Sequence, residues 1–268
     1  MTEQFYLTRA SLKRDAEIGA IARLLAPDED DARIAANHRL AWSLFSGNPG
    51  KVRDFLWREE APGRLIILSP SAPEPGSAIF DVETCPFARE PRNGERLAFA
   101  LRANPTVSLA RHGRKANGKR RSGKPVDVIM HALHSAPGRR GADGKMHTTL
   151  RAGEGRAFLR DALVGWLDDE QDGDPRRPAL DWLTRQGEGK GFRIDRDLTQ
   201  VVSYRRVALP RSGKERPAVI GQVDFEGILT VTDERAFAMS LRAGFGRAKA
   251  FGHGLMLLAP APLQETGS

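Results

Sequence analysis

Apolar positions in the first hundred residues follow two periods, and each period predicts a different kind of element. Alternating apolar and polar residues predict strands, namely FYLTRASL, RLIILSP, AIFDVET and the longer RLAFALRANPTVSL. Between the first two strands, Ile34, Leu44 and Phe45 recur at helical spacing. Pro27 and the acidic residues at 28–31 precede them and suit the positive end of a helix. The apolar pattern of the first half therefore predicts one helix among several strands and shows no clear second helix.

The second half shows both periods again. PVDVIMHAL alternates and predicts a strand that opens a second unit. Two helical patterns follow, GRAFLRDALVGWLDDE and PALDWLTRQGEG, and then two strand patterns, TQVVSYRRVAL and PAVIGQVDFEGILTVT. DERAFAMSLRAG predicts a helix that Asp233 caps and Gly244 ends. GLMLLAP predicts the closing strand.

The order of these elements indicates the fold. Strand, helix, two strands, helix and strand is the order of a ferredoxin-like domain, and the first half shows the beginning of the same order. The sequence therefore predicts an α+β fold of two tandem ferredoxin-like (RRM-like) domains. We expect them over residues 1–115 and 120–268, with the join near residues 110–125.

Composition and cysteine count narrow the class of protein. The 268 residues are 40% apolar and 28% charged, as in soluble globular chains. No apolar run is as long as a membrane span, and the first residues lack the apolar core of a secretory signal. We therefore expect a cytoplasmic protein with no membrane partner. The single cysteine, Cys85, argues against an internal disulfide framework and a cysteine-rich zinc module.

Positive charge is concentrated in two stretches of a chain whose net charge is +8. Residues 111–125, the basic segment, carry seven Lys or Arg and no acid. Residues 203–217, the basic hairpin, carry five Lys or Arg against Glu215 alone. Segregated positive charge is typical of a protein that binds a polyanion. Solvated loops that keep a protein soluble have the same composition, so charge alone leaves both interpretations open.

Residues 244–254, GFGRAKAFGHG, form a glycine-rich loop that resembles a phosphate cradle. A dinucleotide fingerprint requires a strand before the glycines and a helix after them, whereas here the predicted order is reversed. A P-loop requires Gly-Lys-Ser/Thr, which is missing. Two interpretations remain: a turn whose amides, with Arg247 and Lys249, hold the phosphates of a bound strand, or a purely structural turn. In either case we expect His253 to face solvent or RNA.

Four stretches of the chain resemble one protein family, in the family's order. They are ANHRLAWSLF, LRANP, VDFEGILTVTD and GFGRAKAFGHGLMLLAP. The last is similar to the C-terminal signature of CRISPR-associated repeat endoribonucleases, and the other three resemble the CasE branch, which serves the type I-E Cascade complex. The four stretches span most of the chain, but no function is assigned to residues 130–177.

This resemblance implies a fold, an activity and partners. Members have tandem ferredoxin-like domains, need neither metal nor cofactor, and bind the stem-loop of the CRISPR repeat in precursor RNA. They cut at the 3′ base of the stem: the ribose 2′-hydroxyl attacks the neighbouring phosphate, leaving a cyclic phosphate and a 5′-hydroxyl. The mature crRNA is retained, and the enzyme joins the other Cascade subunits. Two alternatives stay open: a catalytically inactive RNA-binding subunit of the same fold, and a metabolic enzyme that binds a mononucleotide at the glycine-rich loop.

His38 matches the position of the family's catalytic histidine. Imidazole suits either proton transfer of the reaction because it titrates near neutral pH. From the residues alone, a half-buried, hydrogen-bonded histidine is the plainer interpretation, and the resemblance reverses that preference. Some relatives have a tyrosine three residues earlier, where this chain has Ala35. The second proton-transfer group is therefore open, with Tyr6, Ser43 and Ser46 as weak substitutes.

Charge and resemblance together predict the RNA contacts. The basic hairpin corresponds to the region with which the family reaches into the RNA stem, and Lys51 and Lys249 are candidate phosphate clamps. The predicted contacts are Arg111, Arg114, Lys115, Lys119, Arg120 and Arg121 in the basic segment, Arg205, Arg206, Arg211, Lys214 and Arg216 in the basic hairpin, and Gly244, Gly246, Arg247, Lys249 and Gly252 in the glycine-rich loop.

The remaining histidines do not predict a metal site. His131, His134 and His147 have no carboxylate or cysteine beside them that would complete a ligand set. We interpret them as surface or core residues.

Overall fold

The computed structural model of the protein describes residues 4–45, 53–88, 90–109, 123–135, 176–209 and 217–262. It forms two compact units: the first joins Met1–Asn104 with Gln186–Ser268, and the second is Pro105–Arg185.

The described elements are the following. The strands are β1 (Tyr6–Leu12), β2 (Leu56–Ala61), β3 (Arg64–Ser69), β4 (Phe80–Pro86), β5 (Arg96–Ala103), β6 (Thr106–Leu109), β7 (Lys124–Asp127), β8 (Phe192–Ile194), β9 (Gln200–Leu209), β10 (Ala218–Val231) and β11 (Met256–Pro260). The helices are α1 (Ala16–Leu25), α2 (Asp30–Ser43), α3 (Val128–Ser135), α4 (Arg176–Glu188) and α5 (Glu234–Ala243), with a 3₁₀ turn at Lys249–Phe251.

The first sheet has the strand order β2-β3-β1-β4, and all of its neighbouring strands are antiparallel. Helices α1 and α2 connect β1 to β2. This arrangement is the first part of a ferredoxin-like domain. Residues 70–79 then lead from β3 to β4 without a helix, which agrees with the lack of a second helical pattern in this half.

The second sheet has the order β11-β5-β10-β8, and β9 also pairs with β10. In chain order its elements in the first unit are β5, the pair β8 and β9, β10, α5 and β11. The second unit, which includes most of α4, comes between β5 and β8 in the chain. Counting α4, the order along the chain is again strand, helix, two strands, helix and strand, with the second strand split in two.

The predicted join between the domains differs from the structure. Strand β5 pairs antiparallel with β10 from Ala103 opposite Val223 to Arg96 opposite Thr230, and it also pairs with β11. The predicted boundaries, 1–115 and 120–268, assign this strand to the first domain, whereas its hydrogen bonds place it in the second sheet. The change of sheet therefore falls between β4 and β5. Alternation predicts that a stretch is a strand but not which strand it pairs with, so the pattern could not assign β5.

The second unit, Pro105–Arg185, contains the hairpin of β6 and β7 followed directly by α3. PVDVIMHAL is therefore not a single strand, as its alternation predicts. The carboxylate of Asp127 accepts hydrogen bonds from the backbone N–H groups of Ile129 (2.9 Å) and Met130 (3.1 Å), and this cap begins the helix at Val128. RLAFALRANPTVSL is likewise two strands: β5 ends at Ala103, before Pro105, and β6 begins after it at Thr106. The predicted helix GRAFLRDALVGWLDDE lies outside the described residues.

The main core of the first unit lies between α2 and the first sheet. Leu40 and Ala41 of the helix, and Leu44 and Phe45 just after it, pack against a sheet face that includes Trp57. Burying a large apolar side chain contributes about 1.5–3 kcal/mol, so this face holds α2 firmly on the sheet. The opposite face of the sheet packs against Leu255 and Leu257 of the second half.

Local signals explain which elements the sequence predicts. Helix α5 is confirmed: the Asp233 carboxylate accepts from the Ala236 N–H at 2.9 Å, and Gly244 ends the helix with φ = +77°. Helix α1 was not predicted, although Asp15 caps it through a 2.8 Å hydrogen bond to the Ile18 N–H. Strand β2, LWREEA, is too charged to show an alternating pattern.

None of the helices in the described ranges is long and apolar enough to span a membrane.

Candidate functional site

His38 projects from the middle of α2 and is held from the glycine-rich loop. The helix begins at Asp30, with Asp30 and Asp31 in its first turn, as the acidic start of the pattern predicts. The Nδ1 atom of His38 lies 2.7 Å from the Ala250 carbonyl oxygen. Because a carbonyl oxygen only accepts, Nδ1 carries the proton and donates it. The neutral ring therefore has its free lone pair on Nε2, the nitrogen left available for proton transfer.

The surroundings of His38 fix the plane of its ring. The Phe251 ring lies 5.3 Å from the imidazole centroid at an interplanar angle of 35°. The ring is half-exposed, and within the described ranges no hydrogen bond is made to Nε2. His38 is thus fixed on one side and open on the other, which is the arrangement that a general acid or base needs.

The residues considered for the second proton transfer are not assigned by the geometry. Ala35, one turn before His38, offers no polar group. The Ser43 hydroxyl donates to the Leu40 carbonyl within its own helix at 2.8 Å, and Tyr6 lies on β1, opposite Ser69 and Pro86. Ser46 and Lys51 lie outside the described residues.

The glycine-rich loop is a compact turn in which several amides are already bonded. The Gly244 N–H donates to the Ser240 carbonyl at 2.8 Å, and the Phe245 N–H donates to the Gly254 carbonyl at 3.0 Å. The Gly254 N–H in turn donates to Arg102 at 2.7 Å, and the N–H of Phe251 donates to Ala248 at 2.8 Å. These four amides cannot also bind phosphate, so any cradle relies on the remaining amides and on side chains.

Two of the loop glycines are required by close packing. At Gly252, where φ is +79°, a Cβ would lie 2.9 Å from Cζ3 of the buried Trp57 ring. At Gly244 a Cβ would lie 2.9 Å from the Leu56 side chain. Both positions therefore have a structural reason to be glycine. Contact of Gly244, Gly246 and Gly252 with RNA stays a prediction.

Three cationic side chains, those of Lys249, Lys190 and Arg53, lie close together beside the glycine-rich loop. Burial lowers the pKa of Lys249, and repulsion from Lys190 and then Arg53 lowers it further. The Lys249 ammonium donates to the Ala243 carbonyl at the end of α5, at 2.7 Å, so part of its role is to cap that helix. Burial alone lowers the pKa of Lys190, whose ammonium lies 5.3 Å from the Phe245 ring centroid. An anion placed among these groups would relieve their mutual repulsion.

The other predicted loop cation, Arg247, is exposed. Its backbone forms an isolated antiparallel bridge with Asn104. That bridge joins the loop to the end of β5, so the side chain of Arg247 projects from a fixed backbone.

The two described arginines of the basic hairpin differ in their surroundings. The guanidinium of Arg205 donates to Asp30 of α2 at 2.6 Å. Partial burial pushes the pKa of Asp30 upward, but Arg205 and then Arg33 outweigh it and hold that pKa below its ordinary value. Arg206 is exposed on the same strand. The other hairpin cations, Arg211, Lys214 and Arg216, and the whole predicted set in the basic segment, Arg111, Arg114, Lys115, Lys119, Arg120 and Arg121, lie outside the described residues.

Apolar contacts join the histidine helix to the base of the basic hairpin. Ile34 of α2 packs with Val207 and Leu209 of β9, and Phe251 of the loop packs against the same cluster. A polar network supports the helix from β2: the Glu59 carboxylate accepts from the Asn37 amide at 2.8 Å and pairs with Arg33. The helix, the hairpin and the loop therefore meet around His38.

The expectation for His253 was wrong. Its side chain is 0% exposed instead of facing solvent or RNA. Burial, and to a lesser extent the Arg102 guanidinium, lowers its pKa to about 4. The imidazole is therefore neutral at physiological pH and acts as part of the loop's core. Flanking glycines give no signal of burial, so the sequence did not show it.

The described histidines and acids include no group of three or more that could hold a metal ion. His131 lies on α3, and His147 lies outside the described residues.

Comparison with known proteins gives a consistent result. A family model described as CRISPR associated protein matches residues 5–260. The CRISPR system Cascade subunit CasE of Escherichia coli (strain K12) is 25% identical over 229 residues, which are 83% of this chain and 90% of that protein.

Solved structures share the fold. CRISPR endoribonuclease Cse3 bound to a 19 nt RNA matches with a TM-score of 0.59 and 24% identity, over 96% of this chain and all of that one. The CRISPR-associated protein Cas6e from Escherichia coli str. K-12 matches with a TM-score of 0.51 and 23% identity, over 96% of this chain and all of that one. The predicted tandem ferredoxin-like fold is thereby confirmed. Because the family model covers nearly the whole chain, the protein belongs to the CRISPR associated protein family, and the resemblance to the CasE type is confirmed.

Proposed function

We propose that this protein is a metal-independent endoribonuclease that processes CRISPR precursor RNA. It binds the repeat stem-loop, cuts at the 3′ base of the stem, and retains the mature crRNA as a Cascade subunit. The similar proteins support this role by their names: one is a Cascade subunit, and another is a CRISPR endoribonuclease bound to a 19 nt RNA. The observation that carries the proposal is the hydrogen bond from His38 Nδ1 to the Ala250 carbonyl.

The chemistry needs two proton transfers. The 2′-oxygen forms a bond to phosphorus and loses its proton, while the bond from phosphorus to the 5′-oxygen breaks and that oxygen gains a proton. Nε2 of His38 accepts a proton when the imidazole is neutral and donates one when it is charged. Either step can use this atom. Ala35 leaves the second transfer to a group that this chain supplies elsewhere or to water.

Cations beside the loop suit the charge that develops on the phosphate. Lys249 adjoins Ala250, the residue that holds His38, and Lys190 and Arg53 lie close enough to lower its pKa. Negative charge on the reacting phosphate increases as the 2′-oxygen attacks, and fixed cations nearby stabilise it. Such cations give the protein a means of stabilisation that does not depend on a bound metal.

Stem binding is assigned to the basic hairpin and the basic segment. The major groove of A-form RNA is deep and narrow, so a thin hairpin carrying exposed arginines such as Arg206 suits the end of a stem better than a helix does. Phosphate contacts would dominate the affinity, which should fall steeply as salt is raised.

The alternative function is RNA holding without cleavage. The observation that favours it is Ala35, which stands where some relatives have a tyrosine. The presence of His38 at the position of the family's catalytic histidine argues against it.

The test compares His38→Ala with wild type on a labelled repeat hairpin, with EDTA present throughout. We expect wild type to cut, and His38→Ala to bind with unchanged Kd but to lose cleavage by at least about 100-fold, the contribution of a general acid or base. Added imidazole should restore part of the lost rate. His131→Ala is the matched control and should cut normally. Tight binding by wild type without any cutting would instead make the protein an RNA-holding subunit.

A further inference from the structure

One backbone carbonyl receives two side-chain donors at the site. The Ala250 oxygen accepts from His38 Nδ1 at 2.7 Å and from the indole Nε1–H of Trp57 at 3.1 Å. A carbonyl oxygen has two lone pairs, so both bonds can be made at once. Trp57 thus contacts the same atom that determines which nitrogen of His38 carries the proton.

Trp57 is a rigid anchor for this carbonyl. It lies on β2, is 1% exposed, and belongs to the core between α2 and the first sheet. The loop backbone rests directly on its indole face, since a Cβ at Gly252 would lie 2.9 Å from Cζ3 and 3.0 Å from Cη2. The ring therefore limits how closely the loop approaches the sheet, and its N–H sets where the Ala250 carbonyl points.

Among the described residues, the hydrogen bonds given to the Ala250 carbonyl oxygen are those from His38 and Trp57. Ala250 lies in a single 3₁₀ turn whose flanking residues, Ala248 (φ = +56°) and Gly252 (φ = +79°), both adopt left-handed conformations. Within this turn the Phe251 N–H donates to the Ala248 carbonyl, not to that of Ala250. Phe251 packs on His38 but donates nothing to the Ala250 oxygen.

We propose that Trp57 is a positioning residue for His38. Its indole N–H holds the Ala250 carbonyl, and that carbonyl keeps the proton of His38 on Nδ1 and directs Nε2 outward. Trp57 itself does not touch substrate. Its effect on cleavage rests on the function proposed above, whereas its effect on the tautomer does not, so the two can fail separately.

The tautomer of His38 is the direct readout. In protein labelled with ¹⁵N at histidine, the ring nitrogens show which of them carries the proton, and the His38→Ala spectrum identifies the signals of His38. We expect Nδ1–H in the neutral ring of wild type, and movement toward a mixture with Nε2–H in Trp57→Phe. Trp42→Phe is the control, because it also loses an indole, but from a residue that packs edge-on against Phe55.

Cleavage is the second readout. One neutral hydrogen bond is worth about 0.5–1.5 kcal/mol, so single-turnover cleavage by Trp57→Phe should slow by about 2- to 13-fold, with the Kd for the hairpin within twofold of wild type. Trp42→Phe should cut faster than Trp57→Phe.

Two results would overturn the positioning of His38 by Trp57: Nε2–H as the wild-type tautomer, and a Trp57→Phe spectrum identical to that of wild type. A shifted spectrum with an unchanged cleavage rate would overturn only the effect of Trp57 on cleavage. The wild-type tautomer is measured without any variant, so it tests the inference even if Trp57→Phe folds poorly. If wild type shows Nδ1–H but never cuts RNA, the proposed function fails while the positioning of His38 by Trp57 stands.

Discussion

The buried imidazole of His253 gives a prediction whose size follows from the structure. The side chain is 0% exposed and its pKa is lowered from 6.5 to about 4. Burial is the main cause and the Arg102 guanidinium adds to it, while the backbone carbonyls of Phe251 and Ala248 and the Asp224 carboxylate act in the opposite direction. The folded protein therefore resists protonating this ring far more than the unfolded chain does.

The sign of the effect follows from proton linkage. As the pH falls below 6.5, the unfolded chain takes up a proton at His253, whereas the folded protein does not until the pH nears 4. The free energy of unfolding therefore falls across this window and stops changing below it. Each pKa unit corresponds to about 1.4 kcal/mol, so the full loss is about 3 kcal/mol, with about 2.5 kcal/mol already lost at pH 4.5.

The assay is urea unfolding at several pH values between 7 and 4.5, with wild type compared with His253→Gln. The variant cannot titrate at this position, so its free energy of unfolding should fall by about 2.5 kcal/mol less over the range, whatever its stability at pH 7. Carboxylates with lowered pKa values, such as Asp30 and Asp224, also lose stability as the pH falls, but they do so in both proteins. His131→Gln, which changes a half-buried histidine on α3, should follow wild type. Parallel curves for wild type and His253→Gln would refute the reasoning.

Two further predictions concern the loop and the hairpin. Gly252→Ala should destabilise the protein by more than the roughly 1–2 kcal/mol that a left-handed conformation costs an L-residue, because its Cβ also meets the Trp57 ring. Gly76→Ala is the control in thermal unfolding, since it has φ = +81° and open space around the new Cβ; equal losses at the two sites would contradict the close packing. In a double-mutant cycle of Asp30→Ala and Arg205→Ala, the half-exposed ion pair should show a coupling energy of about 0.5–1 kcal/mol that shrinks in high salt. A coupling of zero in low salt would mean that this pair does not tie the hairpin to the histidine helix.

The sequence predicted those parts of the fold that depend on local signals. Helix α5 was predicted with its caps at Asp233 and Gly244, because a capping carboxylate and a left-handed glycine act within one turn of the chain. Strand β2 was missed for a non-local reason. Glu59 is largely buried, with 9% of its side chain exposed, because it pairs with Arg33 of α2, which lies 26 residues earlier in the chain.

The sequence predicted only part of the site, as it did for the fold. His38 was identified from the resemblance of its surrounding residues to a family motif. Trp57 was not identified, because nothing in LWREEA indicates that its indole meets the Ala250 carbonyl, 193 residues later in the chain. The burial of His253 was also missed, since its partners Arg102 and Asp224 come from two different strands.

The central claim is that this chain cuts RNA through a 2′-hydroxyl, with His38 at the reacting phosphate. The most direct measurement incubates wild type in EDTA with a labelled repeat hairpin, either all-ribose or carrying one 2′-deoxy sugar at the cleavage site. We predict that the all-ribose hairpin is cut once to a 2′,3′-cyclic phosphate, and that the deoxy hairpin binds equally well but stays intact. Cleavage of the deoxy hairpin, or an all-ribose hairpin that is bound and never cut, would contradict the account.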